Sequence, residues 1–345
     1  MVFSQLAELL GGYGQKPYLT GYLFSFIHSR RVSKISDITP LALPLREKLE
    51  KDGYFITDIT TVGKWADPDG TIKFVFQMED GCRVESVRLQ DDKRSTLCIS
   101  SQVGCRMGCK FCATGQLQFE RNLTAGQIVD QVYKIEAECG KADNVVYMGM
   151  GEPLDNFDQV LKSIEILNDK RGTGLGIRRI TVSTCGLPER IERLADSLIA
   201  PRLAVSINAA DDRTRTSLMK VARKYPLKPL MDSLRKYQQK TGHRITFEYC
   251  IIEGINDGDE QARLLLRMLR GLKANVNLIE FNPFKNCKYR AANPERIREF
   301  ASILKRAGLE TVTRYKRGQK IRAACGQLGS DRLGKSREPR VKSRE

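Results

Sequence analysis

The sequence SQVGCRMGCKFCATG, residues 101–115, carries three cysteines within eight positions at the spacing C-x3-C-x2-C. These are Cys105, Cys109 and Cys112. Iron–sulfur cubanes are usually held by four thiolates, so three thiolates from one tight loop would leave one iron open to a small ligand. A structural zinc site needs four closed ligands, and Cys98 or Cys82 would have to complete it here. The spacing therefore favours an iron–sulfur cluster and leaves zinc as the alternative.

The region behind this loop alternates strands with helices. The predicted strands are Thr96–Ser100, Asn144–Met150, Arg179–Thr184, Leu203–Asn208, Ile245–Ile252 and Asn275–Phe281. The predicted helices are Thr124–Cys139, Asn156–Leu167, Pro188–Leu198, Leu227–Lys240, Glu260–Leu272 and Pro294–Ala307. Six such units in roughly 200 residues predict a parallel sheet with right-handed crossovers, and they are too few for an eight-fold barrel. We therefore expect an α/β fold, a partial (β/α)6 barrel, whose chemistry lies at the carboxyl ends of its strands.

Changes in pattern divide the chain into four predicted parts. Residues 1–55 have apolar positions at helical spacing and form a helical accessory domain. Residues 56–94 form a small β extension, with a hairpin after the turn signal Asp-Pro-Asp-Gly at 67–70. Residues 95–325 form the partial barrel. The last part, 326–345, has six basic and three acidic residues and is predicted to be a flexible tail.

Composition narrows the class of partner and the compartment. The 345 residues include 58 Lys plus Arg and 41 Asp plus Glu, a formal charge of +17 that favours a polyanionic partner. Ten cysteines against two histidines favour metal or redox chemistry in a reducing compartment over a Ser-His-Asp hydrolase. No window approaches the roughly 20 apolar residues of a membrane span. Because the N-terminus also lacks a signal peptide pattern, we expect a cytoplasmic protein with no membrane partner.

The motifs resemble a known enzyme family. The cysteine loop, with Phe111 before its third cysteine and a partial barrel behind it, resembles the radical S-adenosylmethionine (SAM) superfamily. The run Gly149-Met-Gly-Glu-Pro153 is similar to the superfamily element that holds the amino group of SAM. Motifs along nearly the whole chain resemble the RlmN/Cfr family of RNA adenine methyltransferases. They are residues 100–105, 121–124, 148–153, 282–284 and 323–328.

The resemblance implies a cofactor set and a reaction. In that family, the three loop cysteines hold a [4Fe-4S] cluster whose open iron binds SAM, and one electron cleaves SAM to a 5′-deoxyadenosyl radical. The substrates would be an adenosine in the peptidyl transferase loop of 23S rRNA and, in the RlmN branch, the adenosine 3′ of the anticodon in tRNA. The RlmN branch methylates carbon 2 and the Cfr branch carbon 8, and the layout around residues 151–153 favours carbon 2. We also expect two SAM molecules per turnover, a flavodoxin-type electron donor and a monomer.

Three further residues stand at the family's catalytic positions. Cys325 corresponds to the methyl carrier, whose thiolate takes a methyl group from SAM and is then joined to the RNA base. Cys98 corresponds to the resolving thiol, which attacks the Cys325 sulfur and forms a transient disulfide. Glu85 corresponds to the base that removes the proton from the attacked ring carbon. Spacing alone would make Cys98 a small buried hydrophobe, Cys325 an incidental turn residue and Glu85 a solvated strand residue.

The resemblance also assigns residues to SAM binding. They are Gly151, Glu152, Ser183, Ser206, Ile207, Asn208 and Asn282, all at the predicted carboxyl ends of strands. Two positions depart from the family pattern. Asn208 stands where histidine is usual, and asparagine cannot take a charge near neutral pH. Glu280 stands where proline is expected.

RNA contact is predicted at two basic runs and at the helical domain. The first run is Arg213, Arg215, Lys220, Arg223 and Lys224 beside Tyr225. The second run is Arg314, Lys316, Arg317, Lys320 and Arg322 beside Tyr315, just before the candidate methyl carrier. Basic residues and aromatic rings suit a nucleotide that must leave its stack. Solvated helix faces are the alternative interpretation, above all for the first run.

Two other functions are consistent with parts of this pattern. A radical SAM core could serve another reaction, such as methylthiolation or glycyl radical activation, but those families do not combine Cys98 and Cys325 with the C-terminal Ala-Ala-Cys-Gly-Gln-Leu. A non-enzymatic, zinc-bearing RNA-binding protein is the alternative outside enzymes.

Overall fold

A computed structural model describes residues 1–91, 94–314 and 316–333. Its strands are β1 Thr60–Ala66, β2 Ile72–Gln77, β3 Arg83–Asp91, β4 Arg94–Cys98, β5 Gln102–Val103, β6 Arg121–Asn122, β7 Asn144–Tyr147, β8 Ile180–Thr184, β9 Arg202–Ser206, β10 Ile245–Ile251, β11 Ala274–Glu280 and β12 Thr311–Arg314. Its α-helices are α1 Phe3–Gly12, α2 Tyr18–His28, α3 Leu43–Lys51, α4 Ala113–Gln116, α5 Ala125–Cys139, α6 Phe157–Asn168, α7 Pro188–Ala195, α8 Asp212–Leu218, α9 Leu227–Thr241, α10 Asp259–Leu269 and α11 Pro294–Arg306. These elements form a mixed α/β fold.

Ten of the strands form one sheet in the order β1-β2-β3-β4-β7-β8-β9-β10-β11-β12. The strands from β4 onward in this order pair in parallel, and helices connect them. This is the predicted partial barrel, with one parallel strand more than the six expected. The extra strand, β12, has only one apolar residue, Val312, which is exposed. The only buried residue of this short edge strand is the polar Thr311, so alternation of apolar residues could not reveal it.

The β extension is larger than the predicted hairpin. Strands β2 and β3 pair antiparallel as expected, and β1 adds a third antiparallel strand on the outer side. The sheet continues without a break because β3 also pairs antiparallel with β4, where Val87 lies opposite Cys98. Phe74 and Phe76 of β2 are buried in the main core, so the extension shares one hydrophobic core with the barrel. This continuity carries side chains of β2 and β3 to the edge of the barrel.

The N-terminal helices have a small core of their own. Its buried members are Leu6, Leu10, Leu23, Phe24, Phe26, Ile35, Ile38, Leu41, Leu45 and Leu49. This helical domain contacts α5 through a buried hydrogen bond of 3.1 Å between His28 Nδ1 and Tyr133 Oη, and through the ion pair of Arg31 with Glu136. Burial is the main cause that lowers the pKa of His28 to about 3. The imidazole is therefore neutral at physiological pH.

The C-terminal residues fold back onto the barrel. Residues 316–333, called the carrier segment below because they include Cys325, contain buried Ala323, Ala324, Leu328 and Ser330. The predicted flexible tail is therefore wrong for residues 326–333, because the apolar Leu328 and the hydrogen bonds of this stretch fix it in place. Residues 334–345 of that tail lie outside the described residues. Among the described helices, none has the length and apolar composition to cross a membrane.

Candidate active site at the carboxyl ends of the strands

The three loop cysteines lie in a segment whose shape is set by local contacts. Residues 104–112, called the cluster loop below, follow the short strand β5, which pairs antiparallel with β6. Gly104 begins the loop at φ 75°, and a Cβ there would collide with the carbonyl oxygen of Gln118. On the other side, the backbone N–H of Lys110 donates to the carbonyl of Leu218 at 2.9 Å. Glycine is therefore needed at the first turn, and the end of α8 supports the loop.

The three thiols share one buried environment. Burial is the main cause that raises the pKa of each, to about 12 for Cys105, and charge repulsion between them raises the pKa values of Cys105 and Cys109 further. Backbone N–H groups point at two of the sulfurs, from Met107 to Cys105 and from Thr114 and Gly115 to Cys112. A thiolate is the ligand form of cysteine, and a cationic centre among the three sulfurs would offset both their burial and their repulsion.

This donor set fits a [4Fe-4S] cluster with one open iron. Three thiolates come from one loop, and N–H groups directed at the sulfurs are a known means of tuning such clusters. Within the described ranges, no three Cys, His, Asp or Glu side chains converge at the spacing that a single metal ion needs. Each thiolate of a cubane binds a different iron, so its ligands stand further apart than those of one ion.

Gly151 and Glu152 follow β7, beside the cluster loop. Gly151 has φ 101°, and a Cβ there would collide with Gln102, so the backbone of the two strand ends can approach closely only with glycine. The buried Glu152 carboxylate accepts the N–H groups of Leu154 at 3.0 Å and of Cys185 at 2.8 Å. Burial raises its pKa although these bonds oppose the shift. The carboxylate is held rigidly beside the cluster cysteines, whose pKa values it raises.

The other predicted SAM residues divide into open and occupied side chains. Ser183 and Ser206 are half-buried at the carboxyl ends of β8 and β9, while Ile207 and Asn208 are buried. The Asn208 Oδ1 accepts the N–H of Cys250 at 2.9 Å, and its Nδ2 lies 3.5 Å from the sulfur of Met219. Asn208 also has φ 56°, a left-handed conformation that asparagine tolerates better than most residues. Its side chain therefore stabilises the strand end that Ser206 occupies.

Cys325 and Cys98 lie close enough to influence each other's charge. Burial and then Cys325 raise the pKa of Cys98 to about 12, whereas Arg314 lowers it. Desolvation by the protein packed around the thiol is the main cause that raises the pKa of Cys325 to about 11, and the charge of Cys112 adds to it. Arg314 again opposes the shift. The residue as a whole is nevertheless exposed to solvent. The structure thus brings Cys325 to Cys98 and to one end of the cluster loop, although more than 200 residues separate it from both in the sequence.

The carrier segment is fixed by hydrogen bonds to the barrel and to the β extension. Asn282 Nδ2 donates to the carbonyl of Cys325 at 3.2 Å, and Gln327 Nε2 donates to the carbonyl of Pro283 at 2.8 Å. In the turn before β2, Asp67 accepts the N–H of Lys320 at 3.0 Å and Asp69 accepts that of Gly318 at 2.8 Å. The sequence pattern indicates only a turn at these aspartates, because the N–H groups that they accept come from residues about 250 positions later.

Glu85 is buried, contrary to the expectation that spacing alone gives for it. It lies two residues before Val87 on β3, so its side chain shares a face of the sheet with Cys98, the cross-strand partner of Val87. Its carboxylate lies 3.8 Å from the buried ammonium of Lys73, and its Oε2 makes no hydrogen bond among the described residues. Burial raises its pKa, opposed by Lys73. A carboxylate with a raised pKa and an oxygen without a hydrogen bond is a better proton acceptor than an ordinary surface carboxylate.

A second buried carboxylate, Glu248, was missed by the sequence analysis. It lies on β10 and contacts Arg314 of β12 at 3.3 Å and the Nδ2 of Asn277 on β11 at 2.9 Å. Its other oxygen is buried without a hydrogen bond among the described residues. Glu248 raises the pKa of Cys325 and Arg314 lowers it, so the pair sets the charge around the candidate carrier. Within the strand, Glu248 is one polar residue among apolar ones, which gave no separate signal.

The structure removes Arg215 from the predicted RNA contact of the first basic run and pairs most of the second run with carboxylates; the other four cations of the first run are exposed. Arg215 of the first run is fully buried and donates to the carbonyls of Cys185 and Tyr225, both at 2.7 Å, so it supports the fold. In the second run, four of the five basic side chains pair with carboxylates. The pairs are Arg314–Glu248, Lys316–Glu280, Arg317–Asp91 and Arg322–Asp331. Tyr315 lies outside the described residues. Most of the charge in the second run is thus neutralised within the protein.

Comparison with known proteins shows the enzyme superfamily to which this fold belongs. Residues 99–266 match the model of the radical SAM superfamily. A crystal structure of a radical SAM methyltransferase from Sphaerobacter thermophilus superposes with a TM-score of 0.89 at 39% identity, covering 96% of this chain and 98% of the other. The fold and the cysteine loop therefore define a radical SAM enzyme.

Close relatives identify the family. The dual-specificity RNA methyltransferase RlmN of Syntrophobacter fumaroxidans is 42% identical over 94% of this chain and 95% of its own length. A probable dual-specificity RNA methyltransferase RlmN of Thermus thermophilus is 40% identical over 95% of this chain and 92% of its own. The chain belongs to the RlmN family of radical SAM RNA methyltransferases.

Proposed function

We propose that the protein methylates carbon 2 of an adenosine in the peptidyl transferase loop of 23S rRNA and of the adenosine 3′ of the anticodon in tRNAs. The observation that carries this proposal is the meeting of Cys325, Cys98 and the cluster loop at one end of the barrel. Carbon 2 of adenine is electron-poor and does not attack the methyl group of SAM, so a plain methyl transfer cannot serve. A second thiol beside the carrier can release the product if the carrier becomes covalently joined to the base.

In this proposal, Cys105, Cys109 and Cys112 hold one [4Fe-4S] cluster, and Gly151, Glu152, Ser183, Ser206, Ile207, Asn208 and Asn282 surround SAM. When bound, the cluster and SAM supply a 5′-deoxyadenosyl radical. Of the SAM set, Ser183 and Ser206 are half-buried and would contact SAM directly, whereas Asn208 and Asn282 act by fixing a strand end and the Cys325 backbone. Two SAM molecules are used per turnover, one as methyl donor and one as radical source.

The two cysteines act in sequence on one carbon. The Cys325 sulfur first accepts a methyl group from SAM. After the carbon has joined the RNA base, the Cys98 thiolate attacks that sulfur, and the carbon–sulfur bond breaks with its electron pair on the carbon, which takes up a proton. The two cysteines are left as a disulfide, which the reductant returns to thiols. Both thiols have raised pKa values, so each must lose its proton as it reacts. The nearby Arg314 favours the thiolate of both cysteines because its positive charge lowers their pKa values.

Glu85 is the proposed base for the ring proton. Its raised pKa suits proton acceptance, as does its Oε2, which has no hydrogen bond among the described residues, and the adjacent Lys73 ammonium favours the charged carboxylate. Lys73 itself is buried and also contacts Asp331 of the carrier segment at 3.1 Å. The proton acceptor and the methyl carrier are thereby linked through one lysine.

The experiment that tests the proposal follows the label of the transferred methyl group. Cluster-loaded protein, a reductant and methyl-deuterated SAM are incubated anaerobically with unmodified rRNA and tRNA, and nucleosides are analysed by mass spectrometry. We expect 2-methyladenosine with two deuteriums from SAM, because one is removed while the carbon is on Cys325. The Cys325→Ala variant is the control and gives none. Three retained deuteriums would contradict the carrier route, and 8-methyladenosine would place the protein in the Cfr branch instead.

The same protein preparation distinguishes a [4Fe-4S] enzyme from a zinc-bearing RNA-binding protein. We expect a brown protein with about four irons after anaerobic purification, because one cubane contains four. A colourless protein with stoichiometric zinc would overturn the enzymatic proposal. We further propose a monomer in the cytoplasm that takes its electron from a flavodoxin-type reductant.

A further inference from the structure

A groove lies between the cluster loop and the loop that joins β11 to α11. Its volume is about 350 Å³, and the residues that matter to its chemistry are Lys110, Gln116, Phe284, Lys285, Lys288 and Tyr289. We call it the lysine groove. No aspartate or glutamate lines it. The groove therefore presents positive charge, two aromatic rings and two side-chain amides, those of Gln116 and Asn286.

The three lysines of the groove are free to bind an external anion. Lys110, Lys285 and Lys288 are exposed, and none has a carboxylate within ion-pair distance in the part of the chain that the structure describes. Only the ring of Tyr289 lies near one of them, with its centroid 5.8 Å from the Lys288 ammonium. This contrasts with the second basic run, where four of five cations are paired. The groove thus offers a polyanion three cations that no carboxylate of the described residues neutralises, unlike most of the second run.

Both walls of the groove attach to the carrier segment. On one wall, the backbone N–H of Ala113, directly after the last cluster cysteine, donates to the carbonyl of Gly326 at 2.7 Å. On the other wall, Asn282 and Pro283 begin the β11–α11 loop and bond to Cys325 and Gln327. A strand lying in the groove would therefore pass beside Cys325.

We propose that the lysine groove binds the single-stranded RNA that flanks the target adenosine, with phosphates on the lysines and a neighbouring base against Tyr289 or Phe284. Single-stranded nucleic acid is typically held by cations that follow the backbone and by aromatic rings that stack bases. A base that must leave its stack to reach Cys325 needs its neighbours held on the protein. This inference rests on the proposed action on RNA and locates the contact.

Charge reversal tests the groove directly. The double variant Lys285→Glu/Lys288→Glu is compared with the parent protein for binding of an unmodified tRNA, measured by fluorescence anisotropy over a salt series. We expect affinity to fall about tenfold or more near 0.1 M salt, and the slope of log affinity against log salt to fall by about 0.7 for each lost phosphate contact. Unchanged affinity and slope would overturn the inference.

A matched control keeps the total charge equal. Lys141 and Lys273 are exposed and precede β7 and β11, so they lie at the amino ends of these parallel strands, opposite the candidate active site. The variant Lys141→Glu/Lys273→Glu has the same net charge as the groove variant and should retain most of the affinity. An equal loss in both variants would show that charge alone matters and would contradict a localised groove. If the parent protein binds no RNA, the proposed function itself fails, which separates the two conclusions.

A footprint on the unaltered protein avoids the question of folding. Cys287 lines the groove, and Cys139 at the end of α5 is a half-buried cysteine like it but lies elsewhere. Alkylation of each is followed by peptide mass spectrometry with and without saturating tRNA. We expect RNA to slow alkylation of Cys287 severalfold and to leave Cys139 unchanged. Equal rates at Cys287 with and without bound RNA would place the RNA elsewhere.

Discussion

The cluster loop and the carrier segment each bring cysteine to the same end of the barrel, but they are shaped by different contacts. In the cluster loop, one glycine turn and short-range spacing place three thiols together within nine residues, 104–112. In the carrier segment, Cys325 is placed by Asp67, Asn282 and other residues that lie tens to hundreds of positions away. A motif of the first kind can be read locally. The second kind exists only after the sheet has formed.

The largest expected effect is the loss of RNA methylation when a cysteine of either region is removed. Iron content should distinguish the two losses. Both Cys112→Ala and Cys325→Ala should reduce RNA methylation to background. Cys112→Ala removes one of the three cluster ligands, so its iron content should fall to a small fraction of the parent value. Cys325→Ala leaves the cluster loop intact and should keep about four irons. Iron analysis beside the methylation assay checks this, and iron loss in the Cys325 variant would show that the regions are not separable.

Removal of the resolving thiol should stop the reaction after the two regions have acted together. In Cys98→Ala, we expect a covalent protein–RNA adduct to accumulate and methylated product to fall to a few per cent, because no thiol attacks the Cys325 sulfur. Denaturing gels with labelled RNA measure the adduct. Cys139→Ala is the control, with normal turnover and no adduct. Free turnover by Cys98→Ala would refute the assigned role.

Loosening the carrier segment should have a moderate effect that leaves the cluster loop alone. Asp67→Ala removes the acceptor of the Lys320 N–H, a partly buried hydrogen bond whose loss costs about 1 kcal/mol. We expect the methylation rate to fall about tenfold, faster hydrogen exchange in residues 318–323, and unchanged iron content. Asp67→Asn keeps an acceptor oxygen, so its methylation rate should lie between those of the parent protein and of Asp67→Ala. A normal exchange rate in Asp67→Ala would mean that other contacts position Cys325.

The smallest effect concerns a site remote from both regions. Because burial lowers the pKa of His28 to about 3, the unfolded chain binds a proton below about pH 6.5 that the folded protein does not. The contribution of His28 to the free energy of unfolding is therefore present above pH 6.5 and should fall by up to about 1.4 kcal/mol for each pH unit below it. Denaturant unfolding of the parent protein and of His28→Gln between pH 7 and pH 5 measures it. Parallel pH curves for the two proteins would contradict this prediction.

Comparison of particular elements shows what made a feature predictable. The helix α5 was found because Thr124 and Gln127 exchange hydrogen bonds across one turn, a contact that is written in the local sequence. Strand β12 was missed because it lies at an edge and buries little. The second basic run was misjudged because its carboxylate partners, such as Glu248 and Asp91, come from other strands. The roles of Cys98, Cys325 and Glu85 came from family resemblance, and they stay predictions until the variants are measured.

The sequence by itself determined the class of fold, through alternating apolar strands and helices, and the three cluster cysteines, through their spacing. Those features depend on contacts within a few residues of the chain. The tertiary structure decided that Cys325 meets Cys98, that Glu85 is buried beside Lys73, and which lysines remain unpaired around the lysine groove. Burial and ion pairing are sums over neighbours from the whole chain, so no local pattern contains them.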